Sequence, residues 1–286
     1  MSKKFIFNAD DFGMSEDFNK AVLEGYNDGF LTSASLCANG PSFSAAINDI
    51  IPECNSLGIG VHLNIIEGKS LTNCPTLTDK NGVFNKGYLY LILNSYNKDF
   101  LSQIENEFRA QIEQIINKVK VDHIDSHVHT HAIPNIFNIV CRLAKEYNIP
   151  YVRTQNEKFY LIDNKKKVIS VNFAINIVKI ILLKFFTFFN NKTLNRYNLN
   201  TNKYIIGVGY TGMMDSETIR EGLERISEEC IVEALIHPCN YRNKQIDSHY
   251  TEYLSTIDKN LKDEIIRMGY DVTSYSKLWK STYTQQ

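Results

Sequence analysis

The sequence predicts an α/β fold, a distorted (β/α) barrel of seven to eight parallel strands. Three observations predict it. Short apolar runs alternate with stretches of helical periodicity from end to end, as parallel β-α units do. No G-x-G-x-x-G and no phosphate-binding glycine loop follows a strand, which disfavours a dinucleotide fold. The polar residues that stand out fall at the carboxyl ends of the apolar runs, the rim where barrel enzymes keep their chemistry.

Taken in order, residues 5–9 form a short apolar strand, and a helix over 16–27 ends near Gly29. A second strand at 32–38 precedes a helix within 42–54, and 58–65 reads as a strand after a glycine turn. Residues 67–97 carry Pro75, Gly82 and Gly87 without strong periodicity, the pattern of a functional loop. Its Phe84, Tyr88 and Tyr90 are expected mainly to anchor it. The clearest helix spans 101–119, where Ile104, Phe108, Ile112, Ile115 and Ile116 recur at helical spacing. Further strands are expected at 122–126, 150–154, 204–209, 231–237 and 270–274. Helices are expected near 135–146, 216–228 and 256–268. With no internal repeat and no Ser/Gly/Pro linker, residues 1–286 are expected to form a single domain, with a less regular insertion around 155–202.

Composition narrows the function. Apolar residues make up 43% and charged residues 22%, enough to bury a sizeable core. Lys plus Arg total 31 against 32 Asp plus Glu, so nothing drives the chain electrostatically toward nucleic acid. Six cysteines without a C-x-x-C pair are too few for a disulfide scaffold and read as small hydrophobes. The first residues run directly into a strand with no signal-peptide core, which points to a reduced, cytoplasmic setting. Residues 168–189 are long and apolar enough to raise the transmembrane question. Asn172, Asn176, Lys179 and Lys184 interrupt them, however, so an amphipathic surface helix is expected, with Lys179 and Lys184 near one face and Ile177, Ile180, Ile181 and Phe185 left to pack elsewhere.

Asp10-Asp11 closes the first strand. Alone, the pair reads as a helix N-cap or a solvated acidic pair as readily as a metal ligand beside a base. His62 alone reads first as a hydrogen-bonded core residue. Asp125, His127, His129 and His131 alternate, so an extended backbone would point all four to one side. Three buried imidazoles each need a polar partner, and neutral imidazole is the commonest metal ligand, so this cluster marks a site. Arg153 ends another strand. His237 in His237-Pro238 stays open between a capped strand-end residue and a proton donor. His123 and His249 read as ordinary.

Together these residues resemble the YdjC-like carbohydrate deacetylases. Asn8-Ala9-Asp10-Asp11-Phe12-Gly13-Met14-Ser15 is similar to the family's opening block, and Asp125-Ser126-His127-Val128-His129-Thr130-His131 to its DSHxHxH. Thr32-Ser33-Ala34-Ser35, Gly60-Val61-His62-Leu63-Asn64 and His237-Pro238 follow the same order, with Cys239 where a glycine is expected. The resemblance implies a polysaccharide-deacetylase-like barrel, one divalent ion (zinc or magnesium) and removal of an N-acetyl group from an amino sugar. It implies that Asp11, His62 and His127 hold the ion, that Asp10 is the general base and His237 the acid, and that Arg153 orients the base. His129, His131 and Asp125 would support these groups or touch substrate. A metal-dependent phosphoesterase or other amide-cleaving barrel enzyme remains an alternative, as does a sugar-binding protein without catalysis. A lipid-linked substrate or membrane association stays open but is not favoured, and a homodimer is also left open.

Overall fold

An unbroken apolar strand needs cover on both faces, and β1 (Lys3–Phe12) is buried from Phe5 to Phe12, the signature of a central strand in a parallel sheet. The computed structural model describes residues 2–168, 171–241 and 247–283. After β1 come α1 (Glu16–Asn27), β2 (Ser33–Leu36), the short α2 (Phe43–Ala45) and β3 (Gly58–Leu63). Next are α3 (Tyr88–Asn94), α4 (Lys98–Ile116), β4 (His123–Ser126), α5 (Pro134–Glu146) and β5 (Tyr151–Val152). Then α6 (Lys165–Val168) and α7 (Val171–Tyr197) lead to β6 (Tyr204–Ile206), α8 (Ser216–Glu224) and β7 (Ile231–Ile236). The remaining elements are α9 (Ser248–Thr256), α10 (Lys259–Arg267), β8 (Tyr270–Thr273) and α11 (Tyr275–Tyr283).

The sheet has the order β5-β4-β3-β2-β1-β7-β6, and every pairing along it is parallel. β8 adds to β1 at Lys3–Ile6, whereas β2 pairs at Asn8–Phe12 and β7 at Lys4–Ala9. β2 and β8 therefore divide one edge of β1 between them. The path ends at β5 and β6, so the eight strands form a curled half-barrel instead of the closed ring that the alternation also allowed.

Other expectations shift for identifiable reasons. The helix expected over 256–268 is α10, which starts at Lys259 because the Asp258 side chain accepts from Asn260 N and Leu261 N, whereas α9 just before it was not foreseen. α3 and α11 were not foreseen: α3 is YLYLILN, apolar all round, so no 3.6-residue pattern marks it. Phe84 is buried, as an anchor should be, and Tyr90 packs edge-on against Phe100.

The helix α7 runs 27 residues, well beyond the expected segment, and is not amphipathic. Its inner side buries Phe173, Ile180, Leu183, Phe186 and Leu194, whereas Ile181 and Phe185, expected to pack away from the lysines, lie in solvent. Cys37, Cys54, Cys74, Cys141 and Cys239 are buried free thiols; Cys230 is half-buried.

Candidate active site

Adjacent residues of a regular strand point to opposite faces, so Asp10 and Asp11 should be separated by the sheet. They are not, because the β1–β2 register slips between Ala9 and Phe12 and Asp11 takes a left-handed φ of 63°. Aspartate tolerates that conformation better than most residues. Both carboxylates thereby line one cleft of about 540 Å³ at the carboxyl ends of the strands, with Glu67, His127, His129, Lys179, His237 and His249.

The two acids have different neighbours. Asp10 is clamped by Arg153, whose Nη1 donates to Oδ2 at 2.8 Å and Nη2 to Oδ1 at 2.7 Å. Asn8 Nδ2 also donates to Asp10 Oδ1, at 2.8 Å. Arg153 is buried and pairs in addition with Asp125 and Glu233, both at 2.5 Å. Burial opposes its charge, but these three acids outweigh it and raise its pKa.

Asp11 instead faces imidazoles. Its Oδ1 lies 2.8 Å from His127 Nδ1 and 3.3 Å from His62 Nε2. Burial pushes the Asp11 carboxyl up, yet hydrogen bonds from His127 and His62 hold it well below the usual range. His62 Nδ1 is 2.6 Å from Asp125 Oδ1, so its Nε2 is the nitrogen turned to Asp11. Burial disfavours charge on His62, but Asp125, Asp10 and Asp11 raise it to about 10.

The histidine-rich segment is not a strand. β4 stops at Ser126, and His127–Ala132 is a tight turn in which Val128 and His129 have φ of 52° and 58°. Two consecutive left-handed residues, one of them β-branched, are costly and are held by their surroundings. The four residues therefore do not share one face. His127 reaches Asp11, whereas His131 folds back: its Nδ1 meets Ser126 Oγ at 2.5 Å and its Nε2 lies 3.0 Å from Arg153 O. Burial lowers His131 to about 4, so it is neutral. His129 lines the cleft, its buried Nδ1 has no hydrogen-bond partner among the described residues, and burial with nearby Lys179 drives its pKa well down.

His237 follows β7. Burial lowers its pKa, but Glu252, whose Oε2 accepts from His237 N at 2.6 Å and lies 3.5 Å from Nδ1, raises it to about 9 together with Asp11 and Asp10. His249 is not ordinary: it sits in the first turn of α9, lines the cleft, and sets Nδ1 2.9 Å from His237 O. Nor is His123, which is buried behind the site with Nε2 3.0 Å from Ser35 Oγ and Nδ1 2.6 Å from Asp122. Ser35 in turn donates to Asp125 Oδ2 at 2.5 Å. Ser35, Glu233 and Glu252 were missed; the acid in Ile231-Val232-Glu233-Ala234-Leu235-Ile236 was the available signal, since a carboxylate inside a buried strand needs a cation.

Among the described residues, two groups have ligand atoms within 4.8 Å of one another and could hold a metal ion: Asp11–Cys37–His62 and Asp10–His62–Asp125. His127 is in neither, its ring centroid lying 5.9 Å from that of His62. Burial and the surrounding acids raise the Cys37 thiol well above its ordinary value, which disfavours a thiolate there.

Fold and site together define an α/β half-barrel with an acid–imidazole cluster at its carboxyl rim. A model of the family described as YdjC-like protein matches residues 4–266, and the chain belongs to that family. Among curated relatives it is 40% identical over 149 residues to a carbohydrate deacetylase of Brevibacillus brevis, covering 51% of this chain and 58% of that protein. It is 37% identical over 161 residues to one of Clostridium beijerinckii, covering 55% and 63%. The chain thus spans about three fifths of the length of the curated relatives it matches. A crystal structure of a proposed cellobiose-phosphate cleavage protein from Enterococcus faecalis V583 superposes with a TM-score of 0.74 at 23% identity, covering 97% and 99% of the two chains. That likeness concerns the fold.

Proposed function

We propose that the protein is a metal-dependent hydrolase that removes the N-acetyl group from an amino sugar. The observation that carries this reading is the division of the adjacent acids, Asp10 on Arg153 and Asp11 between two imidazoles. The names of the relatives, carbohydrate deacetylases, support the substrate class.

The donor chemistry suits a divalent ion, with both imidazoles turned to Asp11 Oδ1, although His127 would have to move toward His62 for all three to share one ion. Asp11, His62 and His127 offer one carboxylate and two imidazoles, the set that leaves open positions on zinc or a similar metal. Asp125 fixes His62 from behind, as carboxylates behind metal-ligating histidines commonly do. Asp10 and Asp125 are the poorer ligands, because Arg153 already holds both. An ion held there supplies Lewis acidity, making water acidic enough to lose a proton near neutral pH and polarising the acetyl carbonyl.

Asp10 is the general base: Arg153 and Asn8 fix its carboxylate at the cleft wall, so it takes the proton of the attacking water without reorienting. His237, with its pKa raised to about 9, is protonated at neutral pH and donates to the departing amine nitrogen. Neutral His129 offers its unpaired Nδ1 to a substrate polar group.

The test is acetate release from chitobiose and chitotriose, beside generic phosphoesters, with and without chelator. Chelator-sensitive acetate release is expected. Phosphoester hydrolysis without acetate release would replace the reading with the phosphoesterase alternative, and loss of neither metal nor activity in Asp11→Ala would remove the metal assignment.

A further inference from the structure

The outer side of α7 is apolar over most of its length. Ile175, Val178, Ile181, Phe185 and Phe188 recur at three- and four-residue spacing, and each is 59–67% exposed. Alongside, α3 exposes Leu89 and Leu93, and Tyr96 follows at 83% exposure. The two helices border an apolar groove of about 290 Å³ between Ile92, Tyr96, Ile133, Phe185 and Phe189. Scattered exposed hydrophobes are ordinary; a continuous stripe flanked by a groove marks a contact surface.

Charge says what would cover it. α7 carries Lys179, Lys184, Lys192 and Arg196 and no acidic residue, and α3 carries no charge at all, in a chain whose net charge is −1. Lys184, Lys192 and Arg196 are exposed beside the stripe, with Lys192 Nζ 5.8 Å above the Phe188 ring. Apolar groups flanked by long basic side chains suit the interface of an anionic bilayer, where the stems lie along lipid and the charges reach headgroup phosphates. A second copy of the chain suits the surface poorly, because a two-fold contact through α7 would set these cations against their own copies with no acid from either helix between them.

The helix is apolar and long enough, over Phe173–Tyr197, to cross a membrane, but its inner side is committed. Asn176 Nδ2 donates to Gly209 O at 3.1 Å and Asn190 Nδ2 to Ala132 O at 2.8 Å, while Phe173, Ile180, Leu183, Phe186 and Leu194 are core residues. Spanning would strip that core, whereas lying flat keeps it. The turn that supplies His127 and His129 is tied to both helices, by Asn190 and by Tyr88 Oη, 3.4 Å from His129 O.

We propose that the outer face of α7, together with α3, seats on the surface of an anionic phospholipid bilayer, with the cleft beside the headgroups. This rests on no part of the proposed chemistry, and its test needs no turnover. The full chain is floated with vesicles of phosphatidylglycerol and phosphatidylcholine, and with phosphatidylcholine alone, at low and high salt.

Flotation with the anionic vesicles, weakened by salt, is expected. K184Q/K192Q should weaken it by about fivefold per charge lost while leaving the fold intact. I181S/F185S/F188S should abolish it, with thermal melting confirming the fold. Absence of flotation with anionic vesicles overturns the proposal, as does equal flotation with neutral ones. A dimer that does not float, and that the triple variant dissociates, would also overturn it and assign the face to a second copy.

Discussion

Two layers of the site lie one residue apart in sequence and differ in almost every physical respect. The inner layer, Asp10, Arg153, Asp125 and Glu233, is buried, with only Asp10 reaching the cleft wall, and its three acids share a single guanidinium. The rim, Asp11, His127 and His237, opens on the cleft with His62 buried behind it, and its acid is paired with groups that can give up a proton. The contrast teaches that a left-handed residue at a register slip is enough to hand two neighbouring carboxylates to different chemistries.

The contrast breaks most severely at the rim. Asp11→Ala should lose bound divalent ion, measured by metal analysis of the purified protein, and with it all measurable acetate release. Asp10→Asn should keep the ion and lose about 10²–10⁴-fold in kcat; equal metal loss in both variants would erase the distinction between the layers. Asp125→Asn, which touches the rim only through His62, should cost about 10–100-fold in metal affinity.

Arg153→Met should act on stability instead, leaving three buried acids without their cation and costing about 3–5 kcal/mol, read from denaturant unfolding. The smallest effect is in pH. His237 is raised to about 9 from an ordinary 6.5, so its contribution to stability is complete below 6.5 and is lost as pH rises through 9. The alkaline limb of kcat should fall in the same window, and Glu252→Gln should move that limb to lower pH.

Much of this was legible in the chain. The β-then-α alternation gives the parallel sheet, and strand-end placement brings Asp10, Asp11, His62, His127, Arg153 and His237 to one end of it. The histidine-rich segment was legible as a cluster but not as a shape: alternation argues for a strand, and only tertiary packing holds Val128 left-handed against its own preference. His123 could not be read either, since its place depends on Gly60, where a Cβ would come within 2.2 Å of its Nε2. The length and two-sided apolarity of α7 were visible as composition, yet which side meets the core depends on α5 and the His127–Ala132 turn.

The shared edge of β1 has a consequence for the order of assembly. Its partners β7 and β8 lie at Ile231–Ile236 and Tyr270–Thr273, more than two hundred positions downstream. During synthesis the strand bearing both aspartates therefore waits with an open flank until those late segments emerge. Such a long-range closure is slow and leaves a sticky edge exposed meanwhile. Destabilising substitutions in β7 or β8 should then appear first as aggregation of newly made chains, before any change in the finished molecule.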